Sequence, residues 1–282
     1  MRLLVTGAGG MLGSDVVVVA RGRGHDCVGL GHGELDVTDE HAVAGAVERL
    51  APQAIVNCAA WTDVEGAELR EGEALAVNGT GAGNLARAAA ATGAQLVQVS
   101  TDYVFDGTAA RAYVESDPTH AISAYGRTKL AGEQEVLAAS PGHAVVRTAW
   151  LFGPGGRNFV TTMLRLAAGA GEELAVVTDE VGCPTFTGHL APRLVELAEQ
   201  RASGVFHLAG GGHCSRNEFA RAIFDAAGLE LRVGETTQSE LAMLAPRPPW
   251  SVIVSEREIA PLPRWREGLA AYRERAPEVF GR

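Results

Sequence analysis

Short runs of aliphatic residues alternate along the chain with longer stretches in which apolar positions recur at helical spacing. Arg2–Thr6, Asp26–Leu30, Ala54–Cys58 and Gln95–Ser100 read as strands, and Met11–Arg21, Asp39–Leu50 and Glu73–Thr92 read as the helices between them. Strand runs such as Ala54-Ile55-Val56-Asn57-Cys58 are apolar nearly throughout instead of alternating, as parallel strands covered on both faces require. Strand and helix in turn predict an α/β fold with a Rossmann-like, doubly wound parallel sheet. After a loop from Phe105 to Ala121, a helix over Ser123–Ala139 and a strand over His143–Thr148 extend it.

Beyond Trp150 the texture changes. Gly153-Pro154-Gly155-Gly156, Cys183-Pro184-Thr185 and Ala245-Pro246-Arg247-Pro248-Pro249 punctuate helical patterns at Phe159–Ala168, His189–Arg201 and Ser215–Ala227. The expected division is a sheet domain over residues 1–150, its sheet completed by a strand at 204–208, and a smaller C-terminal lobe formed mainly by 151–282. Neither an internal repeat nor a low-complexity linker is visible.

Composition narrows the function. In 282 residues, 46% hydrophobic and 21% charged positions leave ample material for a core. A formal charge of -10 argues against nucleic acid or an anionic membrane surface as partner, so an anionic ligand would need a local basic pocket. The apolar run at the N-terminus is far shorter than a signal-peptide core, and no apolar stretch approaches the roughly 20 residues of a membrane span, so a cytoplasmic protein is expected. The four cysteines form no C-x-x-C pair and the eight histidines no H-E-x-x-H, so no metal site is expected.

Gly7-Ala8-Gly9-Gly10-Met11-Leu12-Gly13 fits G-x-x-G-x-x-G immediately after a strand and at the start of a helix. Backbone amides and a helix N-terminus there can receive a pyrophosphate, provided no Cβ holds it away, which predicts an NAD(P)-binding domain over 1–150. The acid that usually binds the adenosine ribose is missing from the tip of the second strand, Gly31-His32-Gly33, and the first acids beyond are Glu34 and Asp36. This tilts the choice to NADPH, with NADH also open because no arginine sits there. Leu35-Asp36-Val37 either flanks the adenine or is a solvated turn.

Tyr125-Gly126-Arg127-Thr128-Lys129 places a phenol and an ammonium four residues apart on one helix face. A tyrosine of pKa about 10 needs nearby positive charge to serve as an acid–base group at neutral pH, and Lys129 can supply it. A surface tyrosine beside a solvated lysine is the bland alternative. Ser100-Thr101-Asp102 ends the fourth strand, where ligands of open parallel sheets bind, so a hydroxyl there can hold a substrate carbonyl.

These motifs, together with Asn57-Cys58-Ala59-Ala60-Trp61-Thr62-Asp63-Val64-Glu65, Ser100 through Gly107, Tyr125 through Glu133, Arg147 through Gly153 and Asn158-Phe159, resemble the dTDP-4-dehydrorhamnose reductase family of extended short-chain dehydrogenase/reductases over nearly the whole chain. The resemblance implies NAD(P)H-dependent reduction of the C4 keto group of a nucleotide-linked deoxysugar, dTDP-4-dehydro-L-rhamnose, to dTDP-L-rhamnose. It implies a catalytic Thr101, Tyr125 and Lys129, with Tyr125 as proton donor and Lys129 holding the nicotinamide ribose. It also implies cofactor contacts from Gly7, Gly9, Gly10, Met11, Leu12, Gly13, Asp36, Val37, Ala59, Ala60 and Thr62. Val64, Asp102, Tyr103 and Trp150 would shape the sugar pocket, and Arg247 would meet the diphosphate. Trp150 as core and Arg247 as an exposed loop residue remain open. Some family members hold a divalent cation through acids at a dimer interface; Asp15 is suitably early, but the other acids are not identifiable, so monomer and homodimer both stand.

Further alternatives share this fold, among them the sugar-nucleotide dehydratases and epimerases. Dehydratases of the superfamily follow the Thr-Asp with a glutamate, and here Tyr103 stands there. A non-catalytic NADP-binding subunit, or a reductase of another dTDP-4-keto-deoxysugar, would keep most of the same motifs.

Overall fold

The structure, a computed structural model, describes residues 1–281. Its first half runs β1 (Arg2–Thr6), α1 (Met11–Gly22), β2 (Asp26–Leu30), α2 (Glu40–Leu50), β3 (Ala54–Asn57), α3 (Val64–Leu69), α4 (Glu71–Leu75), α5 (Gly81–Thr92), β4 (Gln95–Thr101), α6 (Ala124–Ala139) and β5 (Ala144–Thr148). Its second half runs β6 (Leu151–Phe152), α7 (Phe159–Ala167), β7 (Glu173–Val177), β8 (Val181–Gly182), β9 (Thr185–Phe186), α8 (Thr187–Glu199), β10 (Gly204–His207), β11 (Cys214–Ser215), α9 (Arg216–Ala227), β12 (Arg232–Thr236) and α10 (Trp265–Arg275).

Six strands form one parallel sheet in the order β2-β1-β3-β4-β5-β10. Successive side chains of a strand point to opposite faces. Leu3 and Val5 therefore pack with Val56, Val97 and Val146 against Val16 and Ala20 of α1 and Leu190 and Leu194 of α8. Leu4, Ile55, Leu96 and Val145 pack on the other face against Val43 and Val47 of α2, Leu85 and Ala86 of α5 and Val136 of α6. Both faces are thus covered, and the uninterrupted apolar strands follow. The strand order reverses between β1 and β3, so the crevice for a ligand opens at the carboxyl ends of those two strands.

A second core, rich in aromatics, gathers Phe152, Phe186, Phe219, Phe224, Trp265, Tyr272 and Phe280. Parallel β7 and β12 and helices α7, α9 and α10 surround it. The second half of the chain is not confined to this lobe, because α8 and β10 belong to the main sheet.

The helix expected over Glu73–Thr92 is interrupted. A π-helical turn at Ala76–Thr80 joins α4 to α5. The cause is Asn78, 2% exposed, whose side chain accepts from the Trp61 N–H at 2.9 Å and donates to the Trp61 carbonyl at 3.1 Å and the Thr128 hydroxyl at 3.1 Å. The widened turn carries this asparagine out of helical register and ties the segment after β3 to α6.

Candidate functional site

The candidate dinucleotide cradle starts where β1 ends. Gly7 has φ +67°, and a Cβ on it would lie 2.5 Å from the Ala59 nitrogen, so only glycine lets the β1–α1 turn touch the segment after β3. Gly10 is the N-cap of α1 and no side chain caps the helix, which leaves the first-turn amides of Met11, Leu12 and Gly13 to an anion. Leu12 itself is buried in the core, so it offers its main chain alone. Gly9 and Gly10 are exposed, Ala59 and Ala60 half-buried, and Thr62 exposed. Below them, Asn57 accepts from the Thr6 hydroxyl at 2.6 Å and the Ala59 N–H at 3.0 Å, and donates to Gln98 at 2.7 Å. That buried relay joins the ends of β1 and β3 to the middle of β4.

At the tip of β2 the structure adds what the linear order concealed. The Glu34 side chain folds back and accepts from the Gly31 N–H at 2.8 Å, so a carboxylate does occupy the strand tip. Asp36 accepts from the N–H of Thr38 at 2.9 Å and its hydroxyl at 2.8 Å, bonds that hold its carboxyl below the usual range. The Val37 side chain is buried in the core, against Gly81. Asp36 is therefore a turn former, and Val37 can face a ligand with its main chain only.

Tyr125 and Lys129 lie one turn apart on α6, and Thr101 ends β4 beside them. Ser123 caps α6 through the Gly126 N–H at 3.1 Å. Gly126 carries no Cβ, which would collide with the Tyr103 carbonyl, so α6 seats directly on the turn after β4. The Tyr103 and Tyr125 rings meet edge to face, 5.8 Å between centroids. Burial pushes the Tyr125 phenol up, and the Thr101 hydroxyl partly offsets this. Thr101 also donates to Asp102 at 3.0 Å; its single proton goes to Asp102 or to Tyr125, and while it is on Asp102 the Thr101 oxygen can still accept from the Tyr125 hydroxyl. Lys129, 4% exposed, donates to the Val99 carbonyl at 2.7 Å, and burial lowers its pKa to about 8 against the opposing charge of Glu133. The charge of Lys129 is not among the groups acting on the phenol in this arrangement.

Behind Lys129 lies a buried ion pair. Arg147 grips Glu133 through Nε at 3.0 Å and Nη2 at 2.7 Å, and the same carboxylate accepts from the Ser100 hydroxyl at 2.5 Å.

Burial also governs the residues expected around the sugar. Burial raises the Asp102 carboxyl to about 6 and the Tyr103 phenol to about 12. Trp150 is half-buried with φ +44°, a strained backbone for a bulky residue, and its indole Nε1 has no partner. Arg247 pairs with Glu65 at 2.7 Å, and Glu65 also accepts from Leu244 N–H at 3.0 Å, which ties the 244–247 loop to α3. Val64 begins α3, capped by Asp63, whose side chain accepts from Gly66 N–H. Two residues that the sequence reading passed over join this group. The Arg216 guanidinium lies 3.4 Å above the Trp150 ring, and its Nε reaches Glu180 at 3.2 Å. No motif flagged either; the available signal was an arginine at the start of a helix next to a capping serine.

Asp15, the early acid, pairs with Arg275 at 2.5 Å, and no cluster of three His, Cys, Asp or Glu able to hold a metal occurs among the described residues. No helix among them is long and apolar enough to cross a membrane.

The chain matches the family described as "RmlD substrate binding domain" over residues 1–277. It is 44% identical to a dTDP-4-dehydrorhamnose reductase of Streptomyces griseus, covering all of this chain and 95% of that protein. It is 43% identical to a dTDP-4-keto-6-deoxy-D-glucose reductase of Streptomyces niveus, covering 95% of each. The crystal structure of a dTDP-4-dehydrorhamnose reductase from Bacillus anthracis, in complex with NADP, is similar with a TM-score of 0.94 at 35% identity, covering 97% of this chain and 99% of that one.

Proposed function

The chain belongs to the RmlD substrate binding domain family, and from that premise we propose that it reduces the C4 keto group of dTDP-4-dehydro-L-rhamnose to dTDP-L-rhamnose with NADPH, NADH also serving. The observation that carries the reading is the gathering of Thr101, Tyr125 and Lys129 about the carboxyl end of β4, in a sheet whose β1 leads into the uncapped N-terminus of α1. The cradle suits a dinucleotide: Gly7 has no room for a Cβ, and the α1 amides of Met11, Leu12 and Gly13 are free of any side-chain cap.

When bound, the nicotinamide supplies the hydride. Thr101 and Tyr125 hold the keto oxygen, and Tyr125 gives its proton to that oxygen as negative charge develops there. A buried phenol releases its proton only to a strong base, so the transfer is timed to the developing alkoxide. Lys129 is ammonium below about pH 8. From the floor of the site it would hold the nicotinamide ribose when the cofactor is bound. Tyr103 packs on Tyr125 and keeps the ring in place. Asp102, Val64 and Trp150 shape the sugar pocket, Arg247 meets the diphosphate, and the smaller lobe excludes water.

The sugar is the finer part of the proposal, since relatives of nearly equal identity carry names for different 4-keto-deoxysugars. Product analysis by NMR after incubation with NADPH and a panel of dTDP-4-keto-6-deoxyhexoses tests it. dTDP-L-rhamnose as the fastest product supports the reading. Another sugar as the fastest product replaces the substrate, and cofactor binding without turnover on any of them replaces the enzyme with a binding subunit.

A further inference from the structure

Resting on the reading of the site as one for a nucleotide sugar, we propose that Arg216 is a substrate-binding residue, its two terminal nitrogens taking the substrate's diphosphate beside Arg247.

The side chain is held as a ligand-binding guanidinium is. It stacks 3.4 Å over the Trp150 ring, and its Nε binds Glu180, itself 3% exposed, at 3.2 Å. The Arg216 backbone N–H donates to the Glu180 carbonyl at 3.1 Å, so main chain and side chain are fixed by the same residue. The head group is thereby locked in plane. Its Nη atoms make no hydrogen bond to any described residue, the Nε–Glu180 bond being the single one from this side chain. Arg147 shows the contrast: a structural arginine spends its terminal nitrogens, there on Glu133 and His207.

The surroundings carry the same mark of an absent partner. Asp102 Oδ2, Glu180 Oε1 and Trp150 Nε1 are buried polar atoms without a hydrogen bond, and Asp102 is 2% exposed. Buried polar atoms in folded proteins are rarely left so; the two carboxylate oxygens can accept from sugar hydroxyls and the indole N–H can donate to a ligand oxygen, so the three mark a place that a polar ligand completes. Arg216 also acts electrostatically on Asp102 and Tyr103, so its charge is felt in the pocket that those residues line.

Charge selects the diphosphate. In a chain of net charge -10, a dianionic ligand needs a local concentration of positive charge. Glu180 gathers one, with Arg216 Nε at 3.2 Å and Arg247 Nε at 3.9 Å from its carboxylate. A planar fork with both Nη free matches adjacent phosphate oxygens better than it matches single sugar hydroxyls. Glu65, whose side chain is 42% exposed, is the counter-ion of Arg247.

The test is calorimetric titration of dTDP into wild type, Arg216→Gln and Arg216→Lys, with the NADPH dissociation constant measured on the same samples. We expect dTDP affinity to fall at least about tenfold in Arg216→Gln and less in Arg216→Lys, with NADPH affinity unchanged. In turnover, KM for the sugar nucleotide should rise more than kcat falls. Unchanged dTDP affinity overturns the proposal, and so does a raised KM with unchanged dTDP affinity, which assigns Arg216 to the sugar ring. Joint loss of NADPH and dTDP binding makes the residue structural and overturns it too. Wild-type turnover on the keto sugar reports the nucleotide-sugar reading separately; dTDP binding decides Arg216 whichever way that assay falls.

Discussion

The Thr101 hydroxyl donates to Asp102 Oδ1 at 3.0 Å, while Asp102 Oδ2 is buried without a partner. Burial therefore dominates this carboxyl and raises it from 3.8 to about 6, in spite of the Thr101 hydrogen bond and the charge of Arg216. A folded pKa above the unfolded one means that the stability from the bound proton is full below pH 3.8 and is lost as pH rises through 6. Above that, the ionised group costs on the order of 3 kcal/mol. Asp102→Asn imitates the protonated form. Its melting temperature should exceed that of wild type at pH 8 by several degrees, and the gap should close between pH 6 and 4. Parallel melting curves across that range would contradict the assignment.

Tyr125→Phe removes the proposed proton and little volume. Turnover should fall about 100-fold or more, with NADPH affinity and melting temperature near those of wild type. A variant with wild-type kcat would assign the proton to another donor.

Lys129 has a folded pKa lowered to about 8, so its ammonium is present below pH 7 and lost as pH passes 8. The pH profile of kcat/KM should show an alkaline limb near 8. Glu133 faces Lys129 and opposes the lowering, so Glu133→Gln should move that limb to lower pH. The same change leaves Arg147 buried with a neutral partner and should cost about 3 kcal/mol in denaturant unfolding. An alkaline limb at the same pH in both proteins would remove Lys129 from the profile.

The Glu34 carboxylate lies at the tip of β2, where the adenosine ribose of a dinucleotide rests, and its charge favours a free ribose hydroxyl over a phosphate. Glu34→Gln should raise the NADPH-to-NADH ratio of kcat/KM about tenfold, a difference of about 1.4 kcal/mol. An unchanged ratio would show that Glu34 turns away when the cofactor binds.

The parallel sheet could be read from the chain because its strands are buried on both faces, which writes itself as continuous apolar runs at Leu3–Val5, Ile55–Val56 and Leu96–Val97. The glycine turn and the Tyr125–Lys129 spacing were legible for a related reason: their geometry is local, set within a few residues. What escaped depends on distant partners. The π-turn at Ala76–Thr80 exists because Asn78 bonds Trp61 and Thr128, and a helical pattern cannot announce that. The strands β7 and β12 are half-exposed and pair across more than fifty residues, so they carry no strong alternation of their own. The carboxylate at the tip of β2 comes from Glu34 folding back by three residues, and Arg216 becomes a site residue only once Trp150 and Glu180 are placed around it.

The central claim is catalysis of keto-group reduction by this chain. Its most direct test is the loss of NADPH absorbance when purified protein is mixed with dTDP-4-dehydro-L-rhamnose, and separately with NADH in its place. Saturable, enzyme-dependent oxidation with one NADPH consumed per dTDP-L-rhamnose formed is the predicted result; tight NADPH binding with no oxidation beyond the substrate-free control would contradict it.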